Sequence, residues 1–379
     1  MKLSGFIIFL SVVLSIYGVV NFYIYRRGIL PLGTVLQSRG LVIAVFLGLL
    51  LAYPLGRILE SYFRNGFTTT LTTVGSFYLA IMVYTFLLLL VLDLAGILLK
   101  MVSLQSVTAF LKHWRGGLAV GLAVILTVVG HINALHPVVR QLKVHIPKKN
   151  EARRHLRIVM ASDIHLGTII RNSRLEEIVD LINAQKPDLI LFPGDLVDED
   201  VAPVAEQKMG QTFQKLQAPL GIYAVTGNHE YFSGVKAAVS YMKEAGVRVL
   251  QDQWVEIDSG LVLVGRKDRT AERMGTGRKS LEEVLEGVNP QKTIILMDHQ
   301  PFHLEEAEQN GVDLQLSGHT HHGQLFPFNW ITNRVYEKSW GYHRRGTTQY
   351  YVSCGVGTWG PPVRLGNRPE IVVLELEFE

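Results

Sequence analysis

Three histidines fall within four positions near the C-terminal end of the chain. They are His319, His321 and His322 in the stretch LSGHTHHGQ at residues 316–324. Histidine is the commonest metal ligand among side chains and titrates nearest to neutral pH. The stretch therefore predicts either a metal site or an exposed histidine-rich loop, and the other motifs have to decide between the two.

Further carboxylate, carboxamide and imidazole side chains follow four other short apolar runs, each of which has the length of a strand. In α/β folds, binding sites are built in the crevice beyond the carboxyl ends of the strands. We therefore expect these side chains to converge at one edge of the fold. The groups are Asp163 and His165 behind 156–161, Asp195 and Asp198 behind 189–192, Asn228, His229 and Glu230 behind 222–225, and Asp298 and His299 behind 293–297.

The types and spacing of these residues suit metal binding. Asp163 and His165 are two positions apart, so on an extended segment both face the same side. The two carboxylate oxygens of Asp195 can bridge two cations, and the preceding Gly194 allows a close backbone approach. Asn228 adds a neutral oxygen. Oxygen donors mixed with imidazoles suit zinc, manganese or iron without choosing among them.

The segments between these motifs alternate between helix and strand patterns. A capping-box pattern at Ser173–Glu176 predicts the start of a helix, and 235–245 and 280–287 are further helical candidates. Strands alternating with helices indicate an α/β domain with covered sheets, which we expect over 155–379. Additional strand-like runs lie at 261–264, 314–316, 350–352 and 371–376.

The ordered motifs resemble the calcineurin-like metallophosphoesterase family, and more narrowly its membrane-associated bacterial branch. The resemblance extends over about 156–379 and implies a four-layer αββα sandwich with two divalent metal ions between its sheets. The motifs are Asp163-X-His165, Gly194-Asp195-X-X-Asp198, Gly227-Asn228-His229-Glu230, His299 and Gly318-His319-X-His321.

The resemblance also implies a role for each matching residue. The reaction would be hydrolysis of a phosphoester by a hydroxide that bridges two ions of manganese, zinc or iron. His229 would stabilise developing charge or protonate the departing oxygen, and Asp198 would orient it. The ligands of one ion would be Asp163, His165, Asp195 and His321, and those of the other would be Asp195, Asn228, His299 and His319.

Two residues near this motif have alternative interpretations. His322 stands where the branch usually has glycine, so a positive φ there would strain the turn. Its imidazole is either an added substrate contact or a hydrogen-bonded turn residue. Arg364, in the glycine-rich stretch 355–364, either holds a phosphate oxygen or belongs to a structural turn.

Residues 1–135 hold four apolar segments, and a helix needs about 20 apolar residues to cross a bilayer. The segment at 40–55 is short, so we expect about four membrane helices, with three as the alternative. A basic linker at 136–154 would follow, with an extended piece at 142–146. The other three segments are 5–25, 70–99 and 117–135.

The charge distribution separates the two regions. Residues 1–135 contain nine of the 37 Lys and Arg residues but only two of the 33 acids, Glu60 and Asp93. The remainder is slightly acidic, so it gives no indication of a nucleic-acid-binding surface. The only cysteine, Cys354, excludes an internal disulfide bond and a cysteine-based zinc site.

The side of the membrane on which the C-terminal domain lies is nearly undetermined by charge. The loops after the first and third helices hold six basic residues, against Lys2, Arg57 and Arg64 on the other side. That difference favours an extracytoplasmic domain. The basic residues Arg140, Lys143, Lys148 and Lys149 reverse the difference, but long domains cross largely regardless of charge.

Asp93 and His131 lie within the apolar segments, where ionisable groups are functional candidates unless they reach the interface. A transporter with a phosphatase head could use them, although so few polar groups argue against it. A non-catalytic metal-binding head would usually lack ligands, and none is missing. We therefore expect a membrane-bound hydrolase whose substrate is a phosphodiester, a phosphomonoester or a lipid-linked diphosphate.

Overall fold

The chain forms two compact units. The computed structural model describes residues 3–148, 153–232 and 234–379, without the side chains of residues 3–6 and 9. The first unit comprises Met1–Ile132 and Gly360–Val363, and the second comprises Asn133–Trp359 and Arg364–Glu379.

The first unit is helical. Among the residues searched, three helices are long and apolar enough to cross a membrane: α3, α4 and α5. α1 has 22 residues and no charged one, but some of its side chains are not described, so the fourth span stays a prediction. The helices are α1 (Leu3–Ile24), a π-helical turn (Tyr25–Ile29), α2 (Leu30–Val35), α3 (Arg39–Glu60), α4 (Gly66–Met101) and α5 (Gln105–Ala134).

The short apolar segment at 40–55 belongs to a helix of 22 residues, α3. The helix continues to Glu60, whose carboxylate pairs with Arg57 at 3.0 Å, one turn earlier. An ion pair between residues three positions apart stabilises a helix, so the polar residues after the apolar segment can continue it. The length of α3 therefore removes the objection to this segment as a membrane span.

The second unit contains twelve strands, nine α-helices and one short 3₁₀ helix (His321–Gly323) in the described residues. The strands are β1 (Val138–Ile146), β2 (His155–Met160), β3 (Leu189–Pro193), β4 (Ile222–Val225), β5 (Arg248–Leu250), β6 (Gln253–Asp258), β7 (Leu261–Gly265), β8 (Thr293–Met297), β9 (Leu314–Ser317), β10 (Gly341–Arg345), β11 (Thr348–Val352) and β12 (Glu370–Phe378). The helices are α6 (Asn172–Ala184), α7 (Ala202–Glu206), α8 (Met209–Phe213), α9 (Asn228–Phe232), α10 (Val235–Glu244), α11 (Thr270–Arg273), α12 (Leu281–Val284), α13 (Leu304–Gln309) and α14 (Asn329–Val335).

The strands form two six-stranded sheets, in the orders β1-β12-β2-β3-β4-β5 and β10-β11-β9-β8-β7-β6. Alternate residues of each strand face opposite sides. In β2, Ile158 and Met160 pack into the apolar layer shared by both sheets, whereas Val159 packs with the buried face of α6. A third apolar layer joins the second sheet to α12 and α13. The predicted αββα sandwich is therefore confirmed.

Residues 138–146 form a strand, although the sequence placed them in a linker. β1 pairs in parallel with β12 over its whole length, from Val138 opposite Glu370 to Ile146 opposite Phe378. Polar residues alternate along it and obscured the buried Val144 and Ile146. The extended piece expected at 142–146 is its second half, and residues 149–152 lie outside the described part.

The helix after Asp163 and His165 begins one residue before the predicted capping box. α6 starts at Asn172, and Arg171 occupies the N-cap without a side-chain cap bond. Ser173 therefore lies inside the first turn and does not cap it.

Candidate metal centre

The predicted ligands follow five strands and meet at one place in the second unit. β2, β3 and β4 are parallel neighbours in one sheet, and β8 and β9 are parallel neighbours in the other. Their carboxyl ends therefore lie side by side within each sheet. The residues that follow these strands form three overlapping groups of potential metal ligands among the described residues, in each of which the ligand atoms lie within 4.8 Å of one another.

The first group consists of Asp163, His165 and His321, all of them buried. The Nε2 atoms of His165 and His321 lie 3.0 Å apart. Oδ1 of Asp163 accepts a hydrogen bond from the backbone N–H of His319 at 2.8 Å. Its other oxygen, Oδ2, is buried without a hydrogen-bond partner in the described residues. Buried polar atoms normally have a partner, so these atoms are arranged for a ligand.

The second group consists of Asp195, His299 and His319. Nε2 of His299 lies 3.1 Å from Oδ2 of Asp195 and 3.3 Å from Oδ1 of Asn228. The opposite ring nitrogen, Nδ1, donates to the carbonyl oxygen of Pro193 at 2.8 Å. Because that bond fixes the ring, Nε2 is the nitrogen directed at the acidic side chain, as in many metal-binding histidines.

Asp195 also belongs to the third group, with His165 and His229. Its Oδ1 accepts the backbone N–H of His229 at 2.9 Å. Burial acts to raise the pKa of Asp195, but the nearby imidazoles of His299 and His229 outweigh it and hold the pKa well below its usual value. Asp195 is therefore a carboxylate at neutral pH with histidines on two sides.

These donors fit divalent metal ions. They combine carboxylate oxygens, a carboxamide oxygen and imidazole nitrogens, a mixture that zinc, manganese and iron accept. The unpartnered Oδ2 of Asp163 and the facing nitrogens of His165 and His321 support the same conclusion.

The backbone is strained where the ligands lie. Asp163, His165, Asp195, His319 and His321 have φ angles of 54°, 55°, 54°, 72° and 45°, in the left-handed region. Such conformations cost non-glycine residues on the order of 1–3 kcal/mol each, and they concentrate at functional sites. The fold therefore maintains this geometry against a local cost.

Two glycines allow the loops to approach each other. A Cβ atom at Gly194, where φ is 94°, would lie 2.4 Å from Nδ1 of His299. A Cβ atom at Gly318 would lie 2.2 Å from Oδ2 of Asp163. Either side chain would displace a candidate ligand, which explains the glycine before Asp195 and the glycine before His319.

Glu230 connects two of the loops, and the sequence interpretation gave it no role. Its carboxylate accepts backbone N–H groups from Gly227 at 2.7 Å, Val197 at 2.9 Å and Asp195 at 3.2 Å. Burial raises its pKa to about 7. Its position in the Asn228-His229-Glu230 run was the only signal in the sequence, because the accepting contacts depend on the folded loops.

His229 and Asp198 form an ion pair beside the ligand groups. Nδ1 of His229 lies 2.9 Å from Oδ1 of Asp198. Burial acts to lower the pKa of His229, but the carboxylates of Asp195 and Asp198 outweigh it and raise the pKa to about 9. The imidazole is therefore a cation at neutral pH.

His229 also lines a pocket with a volume of about 260 Å³. Asp195, Asn228, His319 and His321 contribute to the same wall. The exposed indole of Trp359 lies with its ring centroid 6.2 Å from that of His229. The pocket therefore gives a small molecule simultaneous access to the candidate ligands and to His229.

Arg364 does not line this pocket. Its guanidinium is fully buried and donates to the carbonyl oxygens of Cys354 at 2.7 Å and Gly357 at 2.7 Å, and to Oδ1 of Asn367 at 2.8 Å. It also lies 3.1 Å from Nδ1 of His321. These contacts favour the structural-turn alternative for Arg364, in which it supports His321, over contact with substrate.

His322 is a hydrogen-bonded turn residue. Its Nδ1 lies 2.9 Å from Oγ of Ser339, and its ring packs against Trp340 at a centroid distance of 5.1 Å. It does not line the pocket. Its φ of 46° shows that this position does require the left-handed region, as the absent glycine suggested. The structure therefore favours the turn interpretation over substrate contact.

Asp93 and His131 belong to the first unit. Nδ1 of His131 lies 2.7 Å from the carbonyl oxygen of Pro362, and its ring packs edge-on against Phe77. These contacts give His131 a packing role. Asp93 pairs with arginines.

Comparisons with known proteins agree with this site. A family model described as calcineurin-like phosphoesterase matches residues 156–323. An uncharacterized metallophosphoesterase from Aquifex aeolicus is 36% identical over 262 residues, which cover 68% of this chain and 98% of that protein. An uncharacterized metallophosphoesterase from Campylobacter jejuni is 30% identical over 380 residues, which cover 98% of this chain and 99% of the relative.

A bovine relative combines such a domain with a membrane region by its name. The transmembrane protein with metallophosphoesterase domain from Bos taurus is 36% identical over 283 residues, which cover 69% of this chain and 62% of that protein. The chain therefore belongs to the calcineurin-like metallophosphoesterase family, and the resemblance drawn from its motifs is confirmed.

Proposed function

We propose that this protein is a membrane-anchored phosphoesterase that hydrolyses a phosphoester with the help of two divalent metal ions. The observation that carries the proposal is the His229–Asp198 ion pair, whose imidazole lines the same pocket as several candidate ligands. A metal-binding protein without catalysis has no need of a cationic imidazole directed into an accessible pocket.

The ligand groups divide naturally between two ions that share Asp195. Asp163, His165 and His321 would hold one ion with it, and Asn228, His299 and His319 would hold the other. When bound, two such ions lower the pKa of a water molecule and polarise a phosphoryl oxygen. The remaining chemistry falls to the protein's own side chains.

His229 is the proposed general acid. Because Nδ1 is paired with Asp198, Nε2 is the ring nitrogen that can donate to a departing oxygen. Its raised pKa, about 9, keeps that proton in place at neutral pH. Proton transfer of this kind typically contributes about 10²- to 10⁴-fold to the rate.

Asp198 is a positioning residue for this acid. Its Oδ1 lies 2.9 Å from His229 and 3.3 Å from Nδ1 of His165. Burial acts to raise the pKa of Asp198, but the imidazoles of His165 and His229 outweigh it and hold the pKa far below its usual value. One carboxylate therefore orients the proposed acid and a proposed ligand together.

The pocket and its surroundings support a lipid-like substrate. A volume of about 260 Å³ accommodates a phosphate with part of its organic group. Trp359 and Phe232 expose 55% and 59% of their surface beside His229. These rings favour an apolar organic group, which fits a phospholipid or a lipid-linked diphosphate better than a small polar ester.

The covalent connection supports work close to a lipid surface. α5 ends at Ala134 and β1 begins at Val138, so only three residues separate a candidate membrane span from the first sheet. Three residues reach at most about 10 Å. The charge counts leave the side of the membrane nearly undetermined, and we propose the extracytoplasmic side because long domains cross a membrane largely regardless of charge.

The test uses the full chain, purified in detergent and loaded with manganese, zinc or iron in turn. Metal content is measured by mass spectrometry, and turnover is measured on bis(p-nitrophenyl) phosphate, p-nitrophenyl phosphate, a phospholipid and a polyprenyl diphosphate. We expect two ions per chain and turnover that is greatest on a lipid substrate. Two bound ions without turnover on any substrate would favour the non-catalytic metal-binding head instead.

A further inference from the structure

Besides the pocket at the candidate metal centre, there is a pocket in the first unit. It is lined by four basic side chains and has a volume of about 250 Å³. The pocket lies where the C-terminal end of α4 and the N-terminal part of α5 meet the turn after α1. Nothing in the proposed hydrolysis uses it. The basic residues are Arg27, Lys100, Lys112 and Arg115.

The two arginines are held in place by one carboxylate. Asp93 accepts from Nε of Arg27 at 2.7 Å and from the hydroxyl of Tyr23 at 2.6 Å. A guanidinium nitrogen of Arg115 lies 3.4 Å from the other carboxylate oxygen, and Nε of Arg115 donates to the carbonyl oxygen of Arg27 at 2.9 Å. The two guanidinium groups are therefore pre-positioned side by side.

The two lysines have no carboxylate to neutralise them. Both are exposed, and neither makes an ion pair among the described residues. Residues 1–135 contain only one other acid, Glu60, and it is paired with Arg57 at 3.0 Å. Four cations against the single carboxylate of Asp93 leave a net charge of +3 around one cavity, which attracts anions.

The walls of the same pocket are apolar. Leu92, Ile97 and Leu111 line it beside the basic groups. A site for a soluble anion has no need of aliphatic walls, whereas a lipid presents a phosphate next to glycerol and acyl carbons. Lys and Arg at the ends of membrane helices extend to the level of the lipid headgroups, and basic pockets between such helices bind anionic headgroups.

We propose that this pocket binds the phosphate of an anionic phospholipid. The arginine forks match the geometry of phosphate oxygens, the lysines supply the remaining charge, and the aliphatic residues contact the start of the acyl chains. The ligand is a phosphate ester anion. Its source is a membrane lipid of the leaflet that contains the C-terminal end of α4 and the N-terminal end of α5.

The experiment measures lipid retention by the detergent-purified full chain with native mass spectrometry. The protein is incubated with dioleoylphosphatidylglycerol, dioleoylphosphatidylcholine or inorganic phosphate. The variant Lys100→Gln/Lys112→Gln removes two charges from the pocket. The control Arg26→Gln/Arg39→Gln removes two charges from exposed positions outside it. None of these residues belongs to the proposed catalytic machinery, so both variants should retain wild-type turnover on a soluble ester.

We expect the wild type and the control to retain phosphatidylglycerol in preference to phosphatidylcholine. The lysine variant should bind phosphatidylglycerol roughly 30-fold more weakly, since each Lys near a lipid surface contributes about one factor of five. Equal weakening in both double variants would overturn the proposal, because general charge would then explain retention. Displacement of the lipid by inorganic phosphate at equal concentration would also overturn it, because the site would then select a soluble anion.

Discussion

Nδ1 of His229 and Oδ1 of Asp198 are 2.9 Å apart, and His229 lines the pocket that several candidate ligands also line. The ion pair allows different histidines of one site to serve for metal binding and for proton donation. His229 can carry a proton at neutral pH. The Nε2 atoms of His165 and His321 face each other at 3.0 Å, so they cannot both be protonated. The site therefore places the candidate ligands and the proposed proton donor close together.

Replacing His229 with alanine should separate catalysis from metal binding. We expect turnover to fall by about 10²- to 10⁴-fold, because proton donation to the departing oxygen is lost. Metal content should remain that of the wild type. His155→Ala, at an exposed position in β2, is the control. Full turnover in the His229 variant would contradict its proposed role.

Substituting Asp195 with asparagine should remove metal and activity together. Asp195 belongs to two of the three ligand groups, and asparagine has one neutral oxygen in place of a charged pair. We expect both ions to be bound more weakly in metal titrations of the full chain. A variant that keeps two ions with unchanged affinity would exclude Asp195 as a shared ligand.

The Asp198→Asn variant should shift the pH dependence of turnover. The acidic partner raises the pKa of His229, so loss of its charge lowers that pKa. Activity that requires protonated His229 disappears as pH rises through this value, and the alkaline fall should therefore move to lower pH. Asp180→Asn, on the exposed face of α6, should leave the profile unchanged. An unshifted alkaline limb in Asp198→Asn would argue against the assignment.

A Glu230→Gln variant should weaken metal binding without removing any proposed ligand. The carboxylate accepts three backbone N–H groups from the loops that carry Asp195 and Asn228, and an amide cannot reproduce all three. Groups that support ligands typically change metal affinity by about 10- to 100-fold. Isothermal titration of the apoprotein measures the change, with Glu244→Gln at an exposed position as the control. Unchanged affinity would restrict Glu230 to fold stability.

Arg364→Lys should lower the stability of the second unit. Lysine cannot donate to Cys354, Gly357 and Asn367 at once, so buried acceptors would lose their partners. Leaving buried hydrogen-bond acceptors without a partner costs about 1–3 kcal/mol, measurable as a lower midpoint in chemical unfolding. The exposed Arg344→Lys should have little effect. If Arg364→Lys instead kept full stability but bound substrate poorly, the earlier phosphate-contact interpretation would be restored.

The strands that position the centre could be predicted because they are buried on both faces. β3 and β8 consist of continuous apolar runs between polar turns, and every residue in them is buried. Edge strands gave no such signal. β10, Gly341–Arg345, alternates exposed and half-buried polar residues and is recognisable only by its antiparallel pairing with β11.

The residues of the site divide in a similar way. Candidate ligands could be found from their type and their place after a strand. The roles of Glu230 and Arg364 could not, because each depends on backbone groups that only the fold brings within reach. Arg364 stands in a glycine-rich stretch after the last candidate ligand. That position in the sequence is compatible with a buried structural arginine and with a phosphate-binding one.

The first sheet can be completed only after its last strand has been synthesised. β12, the last strand along the chain, lies between β1 and β2. Until the ribosome has synthesised β12, no strand connects β1 to β2, and the position between these two strands stays empty. The helices of the first unit are thus synthesised long before the first sheet can be completed, and a chain that terminates before residue 370 would contain the proposed membrane anchor without a complete metallophosphoesterase domain.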